Sequence, residues 1–286
     1  RVIWQQLCLP YFLKKEKIDI LFSPGNISPY FSKIKKIQWI GTIGPFWDEI
    51  NDSFPGPFMK LYWDVNKFLM YKTAQKSDMV IFESEYTKIL FQENYKIKDR
   101  ASKVINIGKD NFFLEKEHKI NNAYSADMPF ILCVSHLYPY KNIINMIEAF
   151  FLLKNKLDLQ HKILIAGAKT HANYYDSVVK RIKELNLVND VILLGSVSKD
   201  DLKNLYLKCD FLVFPSPCEN FAYTLVEAMC CGVPITCSNT TAMPETCDTA
   251  AVYFDPNNVN DISEKMELLI KDNNLKNNLN INSLLR

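Results

Sequence analysis

From residue 130 onward, short apolar runs alternate with amphipathic stretches. Residues 130–137 (FILCVSHL) read as a strand, and 142–153 carry Ile143, Ile144, Ile147, Phe150 and Phe151 at helical spacing. Residues 162–168 (KILIAGA) again read as a strand, and 174–187 as a helix with Val178, Val179, Ile182 and Leu185 on one side. A strand over 191–195 follows, and Ser198 with Asp201 resembles a helix-start capping box with Asp in the Glu/Gln slot. A strand over 210–214 (DFLVF), a helix over 221–230, a strand over 234–237 (PITC), a strand over 252–254 and a helix over 261–271 complete the series. Such alternation predicts right-handed βαβ units and a parallel sheet. Parallel sheets bind ligands at the carboxyl ends of their strands, so chemistry is sought in loops 135–141, 167–173, 195–198, 215–224 and 238–245.

The earlier part is less regular. Residues 18–22 (IDILF), 37–40 and 79–82 (MVIF) read as strands, 84–95 as a helix capped by Ser84, and 104–107 as a strand closed by Gly108. The aromatic, proline and acidic residues of 45–57 read as a loop, and the Asn-rich stretch after Lys271 as a tail. Residues 111–128 are polar and aperiodic. The expected division is a partial N-terminal domain over 1–110, a linker over 111–128 and a C-terminal domain over 129–286, all α/β.

A length of 286 residues suits two domains. With 48% hydrophobic and 23% charged residues the chain has the make-up of a folded globular protein and not of a long disordered one. No apolar run approaches the ~18 residues of a membrane span. A net charge of +2 argues against a dedicated nucleic-acid binder. The first residue is Arg1 and no signal peptide follows, so the chain reads as a fragment lacking its natural start. The eight cysteines form no C-x-x-C and read as reduced thiols of a cytoplasmic protein. Charge is uneven: residues 1–110 hold 17 Lys/Arg against 12 Asp/Glu, including Lys14, Lys15, Lys17, Lys33, Lys35 and Lys36. That excess reads either as a solvated face or as a patch for anionic lipid, worth ~1 kcal/mol per cation near the surface.

Several chemistries fall away. The eight glycines form neither G-x-G-x-x-G nor a P-loop. The four histidines, His118, His136, His161 and His171, form no H-x-x-x-H or H-x-H pair for a metal. Ser216 has no G-x-S-x-G elbow. The richest segment is 214–229, FPSPCENFAYTLVEAM, in which Glu227 follows Glu219 by eight residues, about two helical turns. Unpaired backbone amides around residues 221–224, at the positive end of a helix, suit a phosphate. A carboxylate on either side accepts hydrogen bonds from sugar hydroxyls. Equally, Glu219 merely favours the helix start and Glu227 faces solvent; spacing alone leaves both readings open.

This segment, PSPCENFAYTLVEAMCCGVPI from Pro215 to Ile235, resembles the Glu-x7-Glu signature of retaining glycosyltransferases of family 4, roughly P-S-x-x-E-x-F-G-x-x-x-x-E-A-M-A-x-G-x-P-V. HLYPYKNIINMIEAF (136–150) resembles that family's opening C-domain strand, basic loop and helix. GSVSKDDLKNLYLKCDFLVFPS (195–216) and MPETCDTAAVYFDP (243–256) resemble two further segments, and SDMVIFESEYTKILF (77–91) fits more loosely. The resemblance implies the GT-B fold: two Rossmann-like parallel-sheet domains facing a cleft, here with an incomplete N-terminal domain. It implies a hexosyltransferase that moves a sugar from a nucleoside diphosphate (NDP) sugar to a carbohydrate or lipid-linked hydroxyl, in cell-surface polysaccharide or glycolipid synthesis. Configuration would be retained, with no metal and no cofactor beyond the donor. Glu219 and Lys141 would be catalytic, Glu219 on the donor sugar and Lys141 on the diphosphate. Glu227 would take the ribose, and His136, Phe221, Ala222, Tyr223, Thr224 and Gly195 would line the donor. The protein would lie in the cytoplasm, peripherally on the inner membrane face, without nucleic-acid partners.

The pattern also departs from the family. Its arginine five or six residues before the lysine is replaced by Ser135 or His136, its glycine after Glu-x-Phe by Ala222, and its N-domain histidine has no counterpart before residue 118. The corresponding loop is 40–46, IGTIGPF, whose backbone groups would have to fill that role. Two alternatives follow, a non-catalytic or degenerate GT-B nucleotide-binding subunit and a GT-B nucleotide-sugar epimerase; a transferase truncated at its start could also be inactive as it stands.

Overall fold

Strands of three to six residues form two parallel sheets, as the alternation predicts. The computed structural model describes residues 2–48, 50, 53–54, 56–95, 97, 101–115 and 128–286. His118 lies outside them. The chain divides into two compact units, Arg1–Ile107 with Glu219–Phe221, and Gly108–Cys218 with Ala222–Arg286.

In the first unit β1 (Ile20–Ser23), β2 (Lys35–Ile40), β3 (Met79–Phe82) and β4 (Ser102–Val104) lie side by side in chain order. β4 begins two residues earlier than expected because the buried Ser102 pairs with Val80. The helices are α1 (Leu9–Lys15), α2 (Pro57–Gln75) and α3 (Glu85–Tyr95). Ser84 caps α3 as predicted, its Oγ accepting the Thr87 N–H at 3.2 Å. Ile40, Met70, Ala74, Val80, Phe82 and Phe91 form the core. The expected loop over 45–57 holds part of a 3₁₀ turn, Gly44–Phe46, closed by the bond from Phe46 N to Ile43 O at 2.8 Å. Lys36, counted above with the basic patch, is buried; its Nζ donates to Pro29 O at 3.1 Å, and burial lowers its pKa.

The second unit opens on α4 (Asn111–Leu114), a short helix inside the expected linker, capped by Asp110. The ammonium of buried Lys203 holds it through the carbonyls of Phe112 and Glu115. The sheet consists of β5 (Phe130–Val134), β6 (Lys162–Ala166), β7 (Val191–Gly195), β8 (Phe211–Phe214), β9 (Ile235–Ser238) and β10 (Ala251–Phe254), ordered β10-β9-β8-β5-β6-β7. β5 and β8 are buried on both faces, which is why they read as continuous apolar runs. The connecting helices are α5 (Ile143–Lys156), α6 (Ala172–Glu184), α7 (Lys199–Lys208), α8 (Tyr223–Cys230), α9 (Met243–Cys247) and α10 (Val259–Lys271). α5 buries Ile143, Met146, Ile147, Phe150 and Leu153, a stripe that packs on the sheet. Ser198 Oγ accepts the Asp201 N–H at 3.1 Å, the predicted cap of α7. The Asn-rich tail is a helix, α11 (Asn273–Leu285), capped by Asp272. It buries Leu279 in the core and adds polar bonds: Ser283 Oγ donates to Val233 O at 3.2 Å, and Asn282 Nδ2 to Thr249 O at 2.9 Å.

Candidate active site

The strand order of the second sheet reverses between β5 and β8. From β5 the chain proceeds through β6 to β7 on one side, and from β8 through β9 to β10 on the other. Loops leaving the carboxyl ends of β5 and β8 therefore diverge and open a crevice, the usual ligand position in such sheets. His136 and Lys141 lie on the loop after β5, and the acidic motif segment follows β8.

On the β5 side, His136 is exposed and its Nδ1 accepts the Ala168 N–H at 3.1 Å. That bond leaves the proton of the neutral ring on Nε2, a donor. The β6 loop must run close by: a Cβ on Gly167 would stand 1.9 Å from Ser135 O, so only glycine fits. Lys141 closes the turn Pro139–Lys141 just before α5, its Nζ 5.0 Å from the Tyr140 ring centroid. A cation beside a helix N-terminus meets the positive end of the dipole, so an anion bound there relieves it. Asn142, to which the sequence gives no role, has φ 60° and reaches two other loops. Its Nδ2 donates to Pro256 O at 2.7 Å and to Pro215 O at 3.3 Å. One side chain thus fixes the loops after β5, β8 and β10 together.

On the β8 side, α8 starts at Tyr223, two residues later than expected, with Ala222 as an N-cap that offers no side-chain acceptor. Tyr223 and Thr224 thus supply first-turn amides, whereas Phe221 lies outside the helix. Ala222 has φ −90° and a buried methyl, so glycine's conformational freedom is not needed there. Glu227 does not face open solvent. It is half-buried, and Tyr206 Oη donates to its Oε2 at 3.1 Å. Burial raises its carboxyl pKa, the Tyr206 bond pulls it back, and Asp110 raises it again while Lys199 lowers it. Burial and the neighbouring Glu227 push the Tyr206 hydroxyl well up. Glu219 and Phe221 are half-buried and flank Asn220, which is 8% exposed. These three residues group with the first unit. Gly195 ends β7 with φ +71° and open space about its α-carbon. It sits two strands from β5, about 10 Å along the sheet, and so stands apart from the crevice.

The profile of the family described as glycosyl transferases group 1 matches residues 115–285. O-antigen chain mannosyltransferase B of Escherichia coli is 32% identical over 144 residues, covering 50% of this chain and 37% of that protein. The serotype-specific mannosyltransferase WbdA of Escherichia coli is 30% identical over 218 residues, covering 72% of this chain and 26% of that protein. The chain thus spans well under half the length of these two relatives. Anabaena Alr3699/HepE, solved in complex with UDP and glucose, superposes with a TM-score of 0.78 at 18% identity, covering 100% of this chain and 77% of that one. With the two parallel sheets, such structural likenesses make the fold GT-B, the class expected from the motifs.

Proposed function

The chain belongs to the glycosyl transferases group 1 family, and we propose that it transfers a hexosyl group from an NDP-sugar to a hydroxyl acceptor with retention of configuration, in the synthesis of a cell-surface polysaccharide or glycolipid. One observation carries the reading: a loop bearing Lys141 and His136 and a helix bearing Glu227 flank the reversal between β5 and β8. The Lys141 ammonium and the His136 Nε2–H take the diphosphate, aided by the amides that open α8. Glu227 accepts from ribose hydroxyls, and Glu219 from hydroxyls of the transferred sugar. As the bond between the anomeric carbon and phosphate breaks, its electron pair passes to the phosphate oxygen. The acceptor oxygen bonds to the same face of that carbon, and its proton goes to the departing phosphate, so no protein base is consumed. Cationic and hydrogen-bonding side chains do the work of a metal. Relatives named as mannosyltransferases, one of them an O-antigen chain mannosyltransferase, support polysaccharide assembly and put mannosyl donors first.

The same reading includes peripheral contact with an anionic membrane on its cytoplasmic face. Lys14, Lys15, Lys33 and Lys35 are exposed; Lys36 is excluded by its burial. Phe58, Leu61, Tyr62, Val65 and Phe68 form an exposed apolar row along α2, beside Lys60, Lys67 and Lys72 on the same helix. Among the described residues no helix is long and apolar enough to cross a membrane.

The test is a thermal-shift screen of UDP-, GDP- and ADP-sugars, then transfer assays of wild type, Glu219→Ala, Glu227→Ala and Lys141→Ala, with the anomeric configuration of the product read by NMR. Stabilisation by one donor, retention, and loss of transfer in the variants are expected. Full activity in all three variants rejects the site.

A further inference from the structure

Inside the first unit a polar network joins the strand ends to the motif segment. Glu83 follows β3, is 8% exposed, and accepts the Trp39 Nε1–H at 2.9 Å on one carboxylate oxygen. Its other oxygen accepts from Nδ2 of Asn220. The Asn220 Oδ1 in turn accepts from Thr87 Oγ1 at 2.6 Å, and Thr87 Oγ1 lies 2.9 Å from Ser84 Oγ, the α3 cap. Glu83 is crowded as well as bonded: a Cβ on Gly41 would come within 3.0 Å of its Oε1. Thr87 and Ser84 are buried to 0% and 1% exposure. Asn220 therefore spends both ends of its amide on α3 and on Glu83, and it stands between Glu219 and Phe221 in the chain. A buried carboxylate that accepts two N–H bonds and sits behind the motif has no need of solvent and no opening for substrate.

We propose that Glu83 is a positioning residue: through Asn220 it fixes the backbone of the Glu219–Phe221 segment and so the direction in which Glu219 meets the donor sugar. The catalytic part of this statement rests on the transferase reading above; the positioning part does not. The bonds run one way, from the Asn220 amide to the Glu83 carboxylate, so each single change sets like against like. Glu83→Gln either faces one amide N–H group with another or turns the Asn220 amide over, which takes its acceptor from Thr87. Asn220→Asp faces one buried carboxylate with another. Combining them restores the pattern in reverse: the amide introduced at position 83 donates to the carboxylate introduced at position 220, while Trp39 and Thr87 keep their acceptors.

The experiment uses the full chain with four proteins: wild type, Glu83→Gln, Asn220→Asp and the double variant. Two readouts are taken, hydrogen–deuterium exchange of the peptide spanning 217–225, and kcat and KM for transfer from the donor found in the screen. Each single variant should speed exchange of that peptide by about tenfold, the loss of one hydrogen bond to a charged group, and the double should return it to near wild type. kcat should fall by about the same factor with KM little changed, and be rescued in the double. Unchanged exchange in both single variants overturns the proposal, whatever the activity. So does equal loss in singles and double, which marks a packing defect and not a reversed bond. Should wild type transfer no sugar while exchange loosens in the singles and recovers in the swap, positioning of the segment stands and the transferase reading falls.

Discussion

The carboxyl edges of the two sheets differ in kind. In the six-stranded sheet the strand order reverses, and the groups around the reversal suit a ligand: a lysine at the positive end of a helix dipole, a histidine with its proton on Nε2, and a half-buried Glu227 that accepts from Tyr206. In the four-stranded sheet the order never reverses, and the polar groups close on one another: Glu83 takes Trp39 and Asn220, and Asn220 takes Thr87. Both edges hold a carboxylate whose pKa is raised. Burial is the first cause in each case; what differs is the partner. The half-buried Glu227 leaves room for a ligand's hydroxyls, whereas Glu83, 8% exposed with an N–H donor on each oxygen, is closed to them. Access to ligand marks a site, and burial behind fixed donors marks a support.

The sharpest break of this contrast is Lys141→Ala. Loss of the cation at the leaving group should lower kcat by about 10²–10³, the range for deleting one preorganised charge-stabilising donor, and steady-state transfer assays read it. Gly167→Ala comes next, because its methyl would overlap Ser135 O at 1.9 Å. Separating the β5 and β6 loops should destabilise the fold by about 1–3 kcal/mol, seen as a lower Tm, and weaken nucleotide binding with it. Tyr206→Phe should cost about 1.5 kcal/mol or less in kcat/KM and move the acidic limb of its pH profile upward. The sign follows from the bond it removes, which holds the Glu227 pKa down against burial. The same carboxyl also makes stability pH-dependent. Its raised folded value favours the protonated form, so its contribution is full below the ordinary glutamate pKa and is lost as pH climbs through the raised one. Glu227→Gln should flatten that part of the Tm-versus-pH curve. The smallest effect is expected at the basic patch, where removing Lys14 or Lys15 should weaken binding to anionic vesicles by ~1 kcal/mol each, and less at high salt.

The second unit was legible because its strands are buried on both faces and its helices carry one apolar stripe, as in β5 and α5. Glu219, Glu227 and Lys141 were visible by motif. The role of Asn142, inside the segment 136–150, was not, since it depends on a left-handed backbone and two carbonyls brought from distant loops. Gly167 was hidden likewise: only the approach of Ser135 makes its missing side chain matter. The α11 stretch reads as a tail because asparagine is a weak helix former, yet the helix docks through Leu279 in the core and through Asn and Ser side chains. α2 received no assignment, for its apolar residues lie on an exposed row as well as on the buried face at Met70 and Ala74, which blurs a single stripe. Glu83 lies in the loosely matching segment 77–91 with nothing there to single it out; it emerges only when Asn220 is seen beside it.

Calorimetric titration of UDP, GDP and ADP into wild type, Lys141→Ala and Glu227→Ala tests the shared crevice most directly. One nucleotide should bind wild type, and each substitution should weaken it by about tenfold or more, as expected for a hydrogen bond to a charged group. Undiminished affinity in both variants would contradict the assignment of the β5–β8 reversal as the donor site.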